Sequence, residues 1–156
     1  MFAIELAAAV LSVCLCPGPS EGTAGDDHLH GTRGDDVILG HPGDDHIRGW
    51  TGSDVLIGGF GNDVLLEWTG VGAGGPIDDS RDVFRGGPGR DTLYVGHHDV
   101  VTAGNGDDEV WAYYVDGTDL VDCGAGLDVL HLSPGPHRPA HPRLRDDPRG
   151  YRGLVS

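Results

Sequence analysis

The sequence predicts an all-β solenoid in which short strands, joined by glycine-rich turns, stack as half-rungs into two parallel sheets. Three observations carry this prediction. Aspartates recur every nine residues, an aliphatic residue follows each of them two positions later, and the composition is hostile to helix, with 28 glycines and 21 aspartates among 156 residues. Glycine makes up about 18% of the chain, against roughly 7% in ordinary globular proteins. Glycine and aspartate are both poor helix formers.

Residues 1–20 stand apart from the repeats. Eleven mostly small or apolar residues, Leu6 to Cys16, precede Pro17-Gly18-Pro19-Ser20, which is the form of a secretory signal peptide. Glu5 stands where such a peptide carries a positive charge. The run is too short to cross a bilayer. A start with no targeting role, or lipid attachment at Cys14, are the competing readings. Cys14 and Cys16 are too close to bridge easily, which leaves Cys123 alone, so neither a disulfide framework nor a cysteine zinc site is expected.

The repeat proper occupies residues 21–131. Five units in one frame run from Gly22 to Leu66, the second reading GTRGDDVIL and the fifth GGFGNDVLL. Glycine holds the first position (Gly22, Gly31, Gly40, Gly49, Gly58) and the fourth (Gly25, Gly34, Gly43, Gly52, Gly61). Aspartate holds the sixth (Asp27, Asp36, Asp45, Asp54, Asp63), and Leu29, Ile38, Ile47, Leu56 and Leu65 hold the eighth. From Asp63 to Asp82 the step is 19, read as two units plus one residue, with Gly70 to Pro76 absorbing the irregularity. Degenerate copies over 77–131 then carry Asp82, Asp91, Asp99, Asp108, Asp119 and Asp128. After His131 the pattern stops, and 132–156, with five prolines and five arginines, is expected to be an extended or disordered tail.

Within a unit, positions six to nine read as a strand and positions one to six as a turn. Alternation along the strand sends the eighth residue to one face and the seventh and ninth to the other, so the aliphatic column faces inward. One unit cannot bury its Leu or Ile alone. Two units make an 18-residue coil, and stacked coils form two parallel sheets around a thin aliphatic core, about twelve half-rungs in all.

Stacking creates an electrostatic problem. Turns on one edge lie a layer apart, which places Asp27 near Asp45 and Asp63, and Asp36 near Asp54. Two carboxylates about 5 Å apart repel by roughly 0.8 kcal/mol in water and about 3 kcal/mol at an effective dielectric of 20. Several such contacts would offset most of a small domain's net stability. A cation between successive turns reverses the sign. Carboxylates with backbone carbonyls form the donor set of a hard cation, and its flexible geometry suits Ca²⁺ better than Mg²⁺. The formal net charge of −15 points the same way, because it repels nucleic acid and anionic membranes.

These units resemble the hemolysin-type calcium-binding nonapeptide of RTX proteins, G-G-x-G-x-D-x-U-x, over 22–66 clearly and to about 131 more weakly. The resemblance implies a parallel β-roll in which each Ca²⁺ lies between turn n and turn n+2, held by sixth-position aspartates and turn carbonyls. The ligands so implied are Asp27, Asp36, Asp45, Asp54 and Asp63, followed by Asp91, Asp108 and Asp128, with the ten turn glycines supporting carbonyl ligation. About three ions are expected in the clean block. Asp82, Asp99 and Asp119 lack the flanking glycines, which weakens their claim. The second-position glycine is replaced by Thr23, Thr32, His41 and Trp50 in the first four units. Such modules are secreted and fold when Ca²⁺ is available outside the cell.

Outward positions divide by sheet. One face presents Val37, Leu39, Val55 and Ile57, a candidate surface for a protein partner. The other presents His28, His30, His46 and Arg48, read as solvated rather than as a transition-metal site. Fifth-position acids such as Asp26, Asp35, Asp44 and Asp107 are expected to point outward. Trp50, Phe60, Trp68, Trp111, Tyr113 and Tyr114 are irregularly spaced and are expected to pack rather than to bind. No zinc-protease, nucleophile-elbow or P-loop motif occurs, so no catalytic activity is expected. The competing readings are a Ca²⁺-dependent adhesion scaffold and a detached accessory domain of a secreted hydrolase, epimerase or protease.

Overall fold

The computed structural model describes residues 20–67, 80–113 and 120–133. The readings for the leader, for Cys14 and Cys16, for Gly70 to Pro76, for Trp68, Tyr114 and Asp119, and for the chain beyond Ser133 lie outside them.

All regular structure among the described residues is strand. In chain order the twelve strands are β1 (Ser20–Glu21), β2 (His28–His30), β3 (Val37–Pro42), β4 (His46–Arg48), β5 (Val55–Phe60), β6 (Val64–Leu66), β7 (Val83–Pro88), β8 (Thr92–Val95), β9 (Val100–Asn105), β10 (Glu109–Tyr113), β11 (Leu120–Ala125) and β12 (Val129–Ser133). Odd strands form one six-stranded sheet and even strands the other, each in chain order. All the pairings are parallel. The chain therefore alternates between sheets at every half-rung and forms the expected β-solenoid.

Alternation places Ile38, Leu56, Phe84 and Val101 from the odd sheet opposite Ile47, Leu65, Leu93 and Val110 from the even sheet, all at most 1% exposed. Burying each such side chain is worth roughly 1.5–3 kcal/mol. Leu29 at one end and Val121, Cys123 and Leu130 at the other are only partly buried, because each has a neighbouring rung on one side only.

Strand limits differ from those expected. The sixth residue lies outside the strands, and the long odd strands continue into the first three positions of the next unit, with His41 paired to Gly59 and Pro42 to Phe60. The first position thus belongs to the inward column. It is buried as Gly40, Gly58 and Gly86, and later as Ala103. β1 precedes the first unit, and β12 carries the roll to Ser133, two residues past the expected end.

The step from Asp63 to Asp82 also needs correction. Val55 pairs with Val83 and Val64 with Thr92, so β5 and β7 are direct neighbours, as are β6 and β8. Asp63 and Asp82 are therefore one half-rung apart in the stack, not two units. Pairing decides this, since strands on both sides of the gap would otherwise lack their ladder partners.

Candidate metal centre

The two edges of the roll are not equivalent. On the first edge the turns are 22–27, 40–45, 58–63, 86–91, 103–108 and 123–128, all six residues long. On the second the described turns are 31–36 and 49–54, of six residues, and 95–99, of five. Ladder steps of 18, 28, 17 and 20 residues (Val37, Val55, Val83, Val100, Leu120) are all absorbed on the second edge. Asp27, Asp45, Asp63, Asp91, Asp108 and Asp128 therefore form one uninterrupted column. Asp36 and Asp54 share the other edge with Asp82 and Asp99.

Each column is a hydrogen-bonded ladder. On the first edge the amides of Asp27, Asp45, Asp63, Asp91 and Asp108 each donate to Oδ1 of the next aspartate, at 2.8–3.0 Å. On the second edge Asp36, Asp54 and Asp82 donate likewise to Asp54, Asp82 and Asp99. One oxygen of every interior aspartate thus joins successive rungs. Asp82 and Asp99, discounted for their missing glycines, occupy the same structural place as the others. Their spacing from neighbouring aspartates was the available signal.

The second oxygen has a different fate. Asp45, Asp63, Asp91 and Asp108 are at most 1% exposed, and Oδ2 of each is buried with no hydrogen-bond partner. A buried, unpaired carboxylate oxygen is strongly unfavourable unless a charge compensates it. Burial accordingly pushes all four carboxyls upward, Asp63 to about 6 and Asp91 to about 7.

The first-position glycine makes room for that oxygen. A Cβ on Gly40 would collide with Oδ2 of Asp45 and lie 2.5 Å from the Gly58 carbonyl oxygen. A Cβ on Gly86 would collide with Oδ2 of Asp91 and the Ala103 carbonyl oxygen. Carboxylate and carbonyl oxygens of successive turns therefore converge on one point, without imidazole or thiolate. Among the described residues no three His, Cys, Asp or Glu side chains gather into a metal cluster, so a cation here draws on backbone carbonyls as well as on the column. This donor set fits Ca²⁺. The fourth-position glycine serves the stacking itself: Gly61 has φ 135° and a Cβ there would collide with the Gly43 carbonyl oxygen.

The first coil is built otherwise. Oδ2 of Asp27 accepts from the Thr23 amide at 2.6 Å and its hydroxyl at 2.9 Å, and Oδ2 of Asp36 from the Thr32 amide at 2.5 Å and hydroxyl at 3.0 Å. The Thr23 amide and then its hydroxyl draw the Asp27 carboxyl below its ordinary value. In the next coil His41 and Trp50 hold the same second position in the left-handed region, at φ 78° and 82°. On the second edge Oδ2 of Asp99 accepts from the Gly96 amide at 2.8 Å. Glu67 stands where glycine is expected at the first position and is 7% exposed.

Fifth-position acids point outward as expected, yet they also bridge rungs. Oδ1 of Asp26, Asp35, Asp44 and Asp107 accepts from the amide of the fifth residue one rung on. His28 and His46 lie side by side, ring centroids 5.5 Å apart, beside His30 and Arg48 in the ladder. Tyr94, Trp111 and His131 stack on one another, so Trp111 packs as expected, whereas Phe60 at 66% exposed does not.

Comparison with family models matches residues 21–56, 32–65 and 78–110 to the RTX calcium-binding nonapeptide repeat, together half of the chain. No curated protein and no solved structure matches the chain. With the repeat frame, the parallel solenoid and the matched segments in agreement, the chain belongs to the RTX calcium-binding nonapeptide repeat family.

Proposed function

We propose that the chain is a secreted, non-catalytic module whose roll folds when Ca²⁺ reaches its turns. The observation that carries this reading is the row of buried, unpartnered Oδ2 atoms on Asp45, Asp63, Asp91 and Asp108. Ca²⁺ would be held between successive turns by these carboxylates and the nearby carbonyls of Gly58 and Ala103, supplying the positive charge that the ladder lacks. Of the eight aspartates that the resemblance names, all but Asp36 and Asp54 fall in the one continuous column of the first edge. Extracellular modules bind Ca²⁺ at about 10⁻⁴ to 10⁻³ M, so such sites fill outside the cell and stay largely empty in cytosol.

Calorimetric titration of the full chain tests the reading. Several Ca²⁺ per chain, with a large folding enthalpy and no comparable response to Mg²⁺, is the expected result. A chain that takes up no Ca²⁺ at millimolar concentration would contradict it.

A second reading, of an interaction scaffold, draws on the outer face of the odd sheet. Val37, Val55, Val83, Val100 and Leu120 align in register from β3 to β11, with Val37 45% and Leu120 64% exposed. This reading predicts Ca²⁺-dependent association in light scattering, lost when Val37 and Val55 become Ser. Unchanged scattering in the paired variant would count against it.

A further inference from the structure

We propose that Thr23 and Thr32 cap the first coil in place of a cation, so that Asp27 and Asp36 are not calcium ligands and the column on the first edge begins at Asp45. The inference rests on the calcium reading and sharpens it by assigning where the ions start.

Two independent contrasts support it. The first concerns Oδ2. Two donors from one threonine converge on that oxygen in both Asp27 and Asp36, whereas in Asp45, Asp63, Asp91 and Asp108 it is buried without a partner. A cation approaching Oδ2 of Asp27 meets an N–H and an O–H already pointing their hydrogens at it. The second concerns turn shape. In the first coil each threonine hydroxyl also accepts from the amide two residues on, Gly25 or Gly34, at 3.2 Å, and neither glycine has a positive φ. From the second coil onward Gly43, Gly52, Gly61, Gly89 and Gly106 all do, at 113° to 147°. The first two turns therefore share a conformation of their own, closed by side-chain hydrogen bonds. Elsewhere the amide of the preceding rung donates to Oδ1 and leaves Oδ2 of Asp45, Asp63, Asp91 and Asp108 without a donor, whereas here the threonine donates to Oδ2 itself.

The test uses the full chain in calcium titrations, comparing the parent, the Asp27→Asn/Asp36→Asn pair and Asp63→Asn, with circular dichroism recording that each loaded chain is folded. The proposal expects the pair to bind as many ions as the parent while Asp63→Asn binds fewer. Loss in the pair equal to that in Asp63→Asn would overturn the capping role and leave the calcium reading intact. A parent that binds no Ca²⁺ would overturn both. A Thr23→Val/Thr32→Val pair separates capping from ligation further: the ion number is expected to stay the same and the urea midpoint at saturating Ca²⁺ to fall. An unchanged midpoint would contradict the cap.

Discussion

Asp63 shows how one residue serves two ends. Its Oδ1 accepts the Asp45 amide at 2.9 Å while its Oδ2 lies buried and unpaired. Asparagine preserves the first function and abolishes the charge; alanine removes both. Asp63→Asn is therefore expected to weaken calcium binding with the rung bond retained. Asp63→Ala should cost a further 1–3 kcal/mol or so, for the unsatisfied Asp45 amide. Denaturant titrations of both variants at saturating Ca²⁺ check the difference, and equal midpoints would contradict it. At Gly61 a side chain is opposed twice, by its left-handed backbone and by the Gly43 carbonyl. Gly61→Ala is expected to destabilise the loaded roll by at least about 1–2 kcal/mol, read as a lowered denaturation midpoint.

At this scale the aspartates and glycines were legible because the nine-residue frame repeats them, and their roles follow from where the frame puts them. The threonine caps were not. Thr23 and Thr32 stand at a position that also holds His41, Trp50 and Gly59, and only the three-dimensional turn shows that their hydroxyls reach Asp27 and Asp36.

Among elements, the aspartate column of the first edge behaves as a unit with its own pH dependence. Burial raises Asp63 to about 6 and Asp91 to about 7, well above an unperturbed aspartate near 3.9. Without cation, the folded column therefore holds protons that the unfolded chain has released. The stability these groups contribute is fully present below about pH 3.9 and is lost as pH rises through about 6 to 7. The Ca²⁺-free chain is accordingly expected to be more folded at pH 5 than at pH 7.5, with Ca²⁺ affinity falling as pH drops through the same window and protons compete. Circular dichroism against pH in EGTA checks the sign, and a Ca²⁺-free chain that gains structure as pH rises would contradict it.

The division into edges was implicit in the sequence, since alternate units must face alternate edges. What hid it was the stretch between Asp63 and Asp82, whose length and glycine content mimic two units. Pairing of Val55 with Val83 shows one. The sorting that results is physical: length changes collect on the second edge, where Glu67 stands in place of the first-position glycine, and the edge with invariant six-residue turns is left free of them.

For the whole molecule, the consequence of a solenoid is that cohesion runs along one axis. Each rung contributes one or two apolar residues per sheet to a thin core, and each interior turn adds a carboxylate to a stack of like charge. At a tenfold excess over the dissociation constant, each bound ion adds about 1.4 kcal/mol, so a few ions supply stabilisation comparable with the net stability of a small domain. Truncating the central core is expected to test that balance: Leu65→Ala, at a fully buried position, should cost about 2–5 kcal/mol and raise the Ca²⁺ concentration at which the chain folds.

The central claim is that Ca²⁺ turns a self-repelling chain of net charge −15 into a folded roll. The most direct measurement is far-ultraviolet circular dichroism of the full chain in EGTA at pH 7.5, followed through a Ca²⁺ titration into the millimolar range. The predicted result is a largely unstructured spectrum that converts to β-sheet cooperatively as Ca²⁺ is added. The same β-sheet spectrum in EGTA and in Ca²⁺ would contradict it.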